Sequence, residues 1–214
     1  MVRRRAGGEQ LDFIFGQKPC EHGGSRRGAG RPRRKGPPKR VPHVPRERFP
    51  KRLPQHVTVR VRREVWNLRS RRAFRVIERA LRAASDRFGV RVVHFAVQAN
   101  HVHLIVEATD ATCLSRAMQG LGVRLAKGLN RMMGRHGRVL EERYHVHVLR
   151  TPTETRHAVR YVLGNERKHA AQRGVAKPEH YADWFSSAHH PDLVRAAQTW
   201  MLTTGCRSAE SGFG

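Results

Sequence analysis

The apolar positions of this chain change period several times between residues 55 and 174, and each change marks an element. His56-Val57-Thr58-Val59-Arg60-Val61-Arg62 alternates strictly, which predicts a strand with Val57, Val59 and Val61 facing inward. From about Ser70 the spacing turns helical, with Phe74, Ile77, Leu81, Ala84 and Phe88 on one face and Gly89 as the stop. Val90 to Val97 predicts a second strand. The tight connection Gln98-Ala99-Asn100 leads into a third, Asn100 to Val106, and the two strands pair most simply as an antiparallel hairpin. Asp110 predicts the N-cap of a helix on which Leu114, Met118, Leu121, Leu125 and Met132 recur until Gly134. An extended segment follows over about 143–150. Thr151-Pro152-Thr153-Glu154 then offers Thr at the N-cap, Pro in the first turn and Glu at N3, so a third helix runs to about Gln172 and ends at Gly174. The order β-α-β-β-α-β followed by a helix predicts an α+β, ferredoxin-like antiparallel sheet. Its helices cover one face and leave the other for a ligand.

The flanks lack such patterning. Residues 1–54 hold eight of the eleven prolines and sixteen Lys and Arg against four acids, which predicts a disordered basic tail. Gly30-Arg31-Pro32-Arg33 in that tail is a weak match to minor-groove AT-hook segments. Residues 55–174 form the predicted catalytic domain. Residues 175–214 form a C-terminal extension in which Tyr181, Trp184, Phe185 and Trp200 are available to pack back on the body.

Charge narrows the function. The 214 residues carry a formal net charge of +26, of which the tail accounts for +12, so the body is basic in its own right. Such a field attracts polyanions, nucleic acid first and anionic membrane second. No apolar run approaches the roughly 20 residues of a membrane span, so no membrane partner is expected. Cys20, Cys113 and Cys206 are far apart and form no CxxC pair. That spacing argues against a zinc ribbon or disulfide framework and fits a reducing cytoplasm. On the second helix Arg116, Arg124, Lys127 and Arg131 lie opposite the apolar face, a solvated basic surface available to DNA.

Candidate chemistry lies in two places. On an extended chain His101 and His103 project from one side of the sheet, and paired imidazoles form half of a transition-metal site or a hydrogen-bonded strand pair. On the third helix Tyr161 and Asn165 are one turn apart, with His157 and Lys168 extending the same stripe and Val159, Val162 and Leu163 mostly on the other side. Lys168 either positions a phosphate or is surface charge. Tyr144-His145-Val146-His147 repeats the His-Val-His pattern. Its tyrosine shares the strand with its histidines and points to the opposite face, so it ranks second, with DNA contact or core packing as the simpler role. Ile105 stands where a nucleotide-binding HIT motif requires a third alternating histidine.

Asn100-His101-Val102-His103 followed by an apolar run, with Tyr161-x-x-x-Asn165 some sixty residues later, resembles the HUH single-tyrosine transposases, and among them the REP-associated tyrosine transposases of the insertion-sequence type. The resemblance covers roughly residues 55–187 and includes Arg143-Tyr144 and Asp183-Trp184-Phe185-Ser186-Ser187. It departs from the family pattern at Asn165-Glu166, where relatives often continue Asn-Pro, and at Gln98-Ala99-Asn100, where many have Met-Pro-Asn. The resemblance implies that His101, His103 and Asn165 hold a divalent metal and that Tyr161 is the nucleophile. It further implies single-stranded or hairpin DNA as substrate, cleavage and strand transfer through a 5′-phosphotyrosine, a homodimer, and residence with the bacterial nucleoid. Octahedral Mg²⁺ or Mn²⁺ with open water positions suits phosphodiester chemistry better than a closed zinc site. A replication-initiation or nicking nuclease of the same superfamily, and a basic DNA-binding protein with an inactive site, are the alternatives.

Overall fold

The computed structural model describes Phe49 and residues 53–84, 88–178 and 181–206. The predicted disordered tail lies outside the described residues except for Phe49, Leu53 and Pro54, of which Phe49 is buried in the main core and Leu53 packs against it. Gly30–Arg33, the AT-hook match, and Cys20 lie outside them altogether. Strands β1 (Gln55–Arg60), β2 (Val90–Val97), β3 (His101–Ala108) and β4 (His145–Val148) form one sheet in the order β2-β3-β1-β4. All three pairings are antiparallel. With α1 (Arg71–Ala84), α2 (Ala111–Met133) and α3 (Pro152–Gln172), the chain follows the predicted β-α-β-β-α-β-α order. This is the ferredoxin-like α+β arrangement.

Strand alternation divides the sheet into two faces. Val57, Val59, Val102, Leu104 and Val106 point to one side and join Phe74, Ile77, Leu81, Leu114, Leu121 and Leu125 of α1 and α2 in the main core. On the other side Ile105 and Ala96 join Val93, Leu149, Leu202 and Val162 of α3 in a smaller apolar cluster. In β2 a bulge between Val92 and His94 exchanges the two sets, so Val90 and Val92 face the main core and Phe95 and Val97 resume it. Val61 is buried as predicted but lies just beyond β1, in a bridge to Leu140.

The helix ends obey local chemistry. The Asp110 side chain accepts from the Cys113 N–H at the start of α2, and Gly134 closes it in the left-handed region at φ 62°. The predicted apolar face of α1 fails at its last residue. Phe88 is 49% exposed, with φ 57°, because a left-handed Phe88-Gly89 turn reverses the chain into β2. The fourth strand is also shorter than the predicted segment of about 143–150.

The α1–α2 contact depends on Gly128, where an added Cβ would lie 2.4 Å from Val76 Cγ1. Gly128→Ala should therefore lower the urea midpoint, by a net loss of about 1–2 kcal/mol, even though alanine is the better helix former. A Val76→Ala change in the same chain should restore most of that loss. An unshifted midpoint in the single variant would show that the helices have room to separate.

Candidate active site

The face of the sheet turned toward α3 is lined with histidine. Thr58 stands opposite His103 and Arg60 opposite His101 in the β1–β3 register, while His56 and Thr58 stand opposite His147 and His145 in β4. The Nε2 atoms of His101 and His103 are 2.9 Å apart. Nδ1 of His101 donates to Oδ1 of Asn100 at 2.8 Å. Nδ1 of His103 lies 3.1 Å from both His56 Nε2 and Thr58 Oγ1. The outward nitrogens are thus engaged by protein, and the inward pair converges on one point.

That geometry fits a metal. Two nitrogen ligands at about 2.1 Å from one ion and at right angles to each other are about 3.0 Å apart. Burial first, then Arg60 and His169, lowers the His101 pKa to about 4. Burial, followed by the neighbouring imidazoles and Arg60, lowers that of His103 to about 3. Both rings are therefore neutral at pH 7, the form that ligates metals. Among the described residues no group of three or more His, Cys, Asp or Glu is arranged to hold an ion.

Helix α3 supplies the second half. Thr151 Oγ1 accepts from the Glu154 N–H, and the Glu154 carboxylate accepts from Arg150 N–H and bonds His147. This cap ties the start of the helix to β4, and Val162 seats its middle on the sheet. The Tyr161 ring then stands edge-on to His103, 5.2 Å between centroids, and 5.9 Å from His56. Tyr161 is 42% exposed, open to a substrate on its other side. Asn165, expected on the same polar stripe, is instead only 2% exposed, because each four-residue step rotates the stripe by about 40° and here turns it inward. Neither its Oδ1 nor its Nδ2 has a hydrogen-bond partner among the described residues. One turn further on, His169 also contributes to lowering the pKa of both His101 and His103.

A clamp fixes the helix in place. Arg69, which also donates to the Val97 carbonyl, makes a bidentate pair with Asp183 at 2.7 and 2.8 Å and lies 3.6 Å from Glu166 of α3. Arg173 holds the other oxygen of Glu166 at 2.8 Å.

Of the predicted residues, the structure brings His101, His103, Tyr161 and the segment carrying Asn165 together within a single chain. Lys168 borders a cleft of about 410 Å³ with His157, Arg160, Tyr161, Asn165 and Arg167. Arg124, Lys127 and Arg131 do not reach the site. They line a groove with Arg72, Arg75 and Arg79 of α1, on the opposite side of the sheet. Arg116 is exposed on α2, on that same side, near Asp110. His145 and His147 share the histidine face, but Tyr144 packs toward the main core, as the alternation required. Sequence reasoning missed His56, Thr58 and Arg69. The alternation of β1 marks His56 and Thr58 as outward, but nothing local pairs them with His103.

The pKa of His103 has a consequence for stability. Its folded value, about 3, lies below the ordinary 6.5, so the unfolded chain takes up the proton first as pH falls. The resulting stability is full above pH 6.5 and is lost toward pH 3. In chelator-containing buffer this group should reduce unfolding free energy by roughly 2 kcal/mol between pH 7 and pH 5. His103→Gln should flatten that part of the profile, and equal slopes for both proteins would contradict the burial argument.

Residues 52–162 match the family described as IS200-like transposases. No curated protein matches the chain. Among solved structures, a REP-associated tyrosine transposase bound to a REP hairpin superposes with a TM-score of 0.52 at 16% identity, covering 74% of this chain and 93% of that one. A transposase-like protein from Deinococcus radiodurans R1 covers 64% of this chain and 99% of its own, at a TM-score of 0.39 and 13% identity.

Proposed function

The chain belongs to the family of IS200-like transposases, which are DNA-cleaving enzymes, and we propose that it cuts and rejoins single-stranded DNA through a covalent tyrosine intermediate. One observation carries this reading: the Tyr161 ring lies 5.2 Å from that of His103, whose Nε2 converges with the Nε2 of His101. A divalent ion, Mg²⁺ or Mn²⁺, would be held by His101, His103 and the unpartnered amide of Asn165. When bound it supplies Lewis-acid polarisation of the scissile phosphate.

The chain's own residues do the rest. The Tyr161 phenol loses its proton and its oxygen bonds to phosphorus, while the bond from phosphorus to the 3′-oxygen breaks and that oxygen takes up a proton. The downstream strand is left as a 5′-phosphotyrosine and the upstream strand ends in a 3′-hydroxyl. Attack by another 3′-hydroxyl reverses these changes and joins a new strand. Lys168 and the cationic rim of the cleft hold phosphate next to the phenol. The groove on the far side of the sheet, with Arg124, Lys127 and Arg131, grips backbone away from the cut. Hairpin-bearing DNA is the proposed substrate, supported by the REP hairpin bound to the similar transposase. Among the described residues no helix is long and apolar enough to cross a membrane.

The test uses the full chain with Mn²⁺ and a hairpin oligonucleotide labelled at its 3′ end. Label should migrate with the protein under denaturing conditions, and chelator should prevent it. Tight binding with no adduct in any divalent metal would establish a binding protein instead. Because both halves of the site come from one chain, mixing Tyr161→Phe protein with His103→Ala protein should restore no adduct. Recovered activity in the mixture would mean that α3 is exchanged between two copies.

A further inference from the structure

Both metal-facing nitrogens can ligate only if the proton of each neutral ring sits on the other nitrogen. Asn100 Oδ1, which only accepts, enforces this for His101. Among the described residues His103 has no carboxylate or carbonyl at Nδ1. It has His56 Nε2 and Thr58 Oγ1, each at 3.1 Å. Both project from β1 on the histidine face, since Thr58 is the register partner of His103 and His56 lies two residues away on the same side. The His56 ring also lies edge-on to Tyr161, 5.9 Å between centroids, and 5.1 Å from the His103 ring. A single β1 side chain thus touches both halves of the site.

We propose that His56 and Thr58 are positioning residues that hold His103 as its Nδ1–H tautomer, and that the His56 ring also props the Tyr161 phenol. The inference rests on the reading of His101 and His103 as metal ligands. Its physical content is separate, because a tautomer can be measured without metal. An Nδ1–H buried here with no acceptor carries the desolvation cost of an unmade hydrogen bond. In the competing form the proton sits on His103 Nε2 and is donated to His101 Nε2, 2.9 Å away; with His56 and Thr58 both removed, that form alone keeps the ring paired. That form has no lone pair for an ion. Outer partners of this kind typically set metal affinity by 10–100-fold.

The two functions of His56 can be dissected. His56→Phe keeps a ring beside Tyr161 and removes the acceptor, His56→Gln keeps an acceptor and removes the ring, and Thr58→Val removes only the hydroxyl. In the metal-free full chain, ¹⁵N shifts of the His103 imidazole should report Nδ1–H in the wild type and in each single variant. The His56→Phe/Thr58→Val double variant should report Nε2–H. Mn²⁺ affinity, read by electron paramagnetic resonance, should fall by about 10–100-fold in the double variant and stay within about threefold in Thr58→Val and His56→Gln. Adduct formation at saturating Mn²⁺ should fall in His56→Gln, which has lost the prop, more than in His56→Phe.

An Nε2–H tautomer in the wild type, an Nδ1–H tautomer retained in the double variant, or Mn²⁺ affinity in the double variant unchanged from that of the wild type would overturn the lock. Equal adduct rates for His56→Gln and His56→Phe would overturn the prop. If the tautomer switches between the wild type and the double variant but the wild type binds no Mn²⁺, the metal reading is overturned and the lock stands.

Discussion

Tyr161→Phe should abolish the covalent protein–DNA adduct and lower strand cleavage by a factor on the order of 10⁴ or more. It should leave hairpin affinity near the wild-type value. The size of the effect follows from the lack of a substitute. Tyr144 packs toward the main core on the far side of the sheet, and Tyr181 lies in the C-terminal segment under Lys177. Phenylalanine retains the edge contacts with His56 and His103 and removes only the hydroxyl. Because Tyr161 is 42% exposed, the unfolding free energy should stay within about 0.5 kcal/mol. Binding without the adduct would therefore separate recognition from chemistry. An adduct that persists in Tyr161→Phe would place the nucleophile elsewhere and end the present assignment.

What the sequence made legible was local. Thr151-Pro152-Thr153-Glu154 announces α3 because an N-cap is satisfied by residues three apart, and the structure starts the helix at Pro152 with Thr151 as its cap. Asp110 and Gly134 delimit α2 for the same reason. The projection of His101 and His103 from one face needs only strand periodicity, so it too was readable. Tyr161 and Asn165 as neighbours on one helix followed from the 3.6-residue turn.

What stayed hidden depends on contacts between distant segments. The register that sets Thr58 against His103 is fixed by packing of the whole sheet, and no pattern within either strand specifies it. The bulge between Val92 and His94 exchanges inward and outward residues in mid-strand. Periodicity identified the basic face of α2 but not its distance from the histidines, and the structure puts Arg124, Lys127 and Arg131 on the opposite side of the sheet. The burial of Asn165 follows from the roll of α3 on its apolar seat, because Val162, one turn earlier and only about 60° away around the helix, faces the sheet. Arg69 and Asp183 are 114 residues apart, so their pairing had no sequence signal.

That last pair sets the largest expected loss of stability. Arg69→Ala should lower unfolding free energy by about 3–5 kcal/mol, the usual result of removing one partner from a buried charge pair. For a chain of this size that is a midpoint roughly 6–12 °C lower at the smaller figure. Burial by itself would lower the pKa of Arg69, but hydrogen bonding to Asp183 and the charges of Asp183 and Glu166 hold it raised. Without the guanidinium, Asp183, 2% exposed, loses its bidentate partner. Glu166 retains Arg173. Asp183→Asn in the same chain should therefore recover at least about 1 kcal/mol, because the stranded charge, not the lost contact, is the larger part of the cost. Arg69→Lys should fall between, since an ammonium cannot span both Asp183 oxygens while reaching Glu166. Glu166 adjoins Asn165 on α3, so adduct formation should fall in Arg69→Ala even at temperatures where the protein stays folded. A midpoint shift below about 2 °C, or a double variant no better than the single, would show that α3 is held over the histidines by its apolar seat alone.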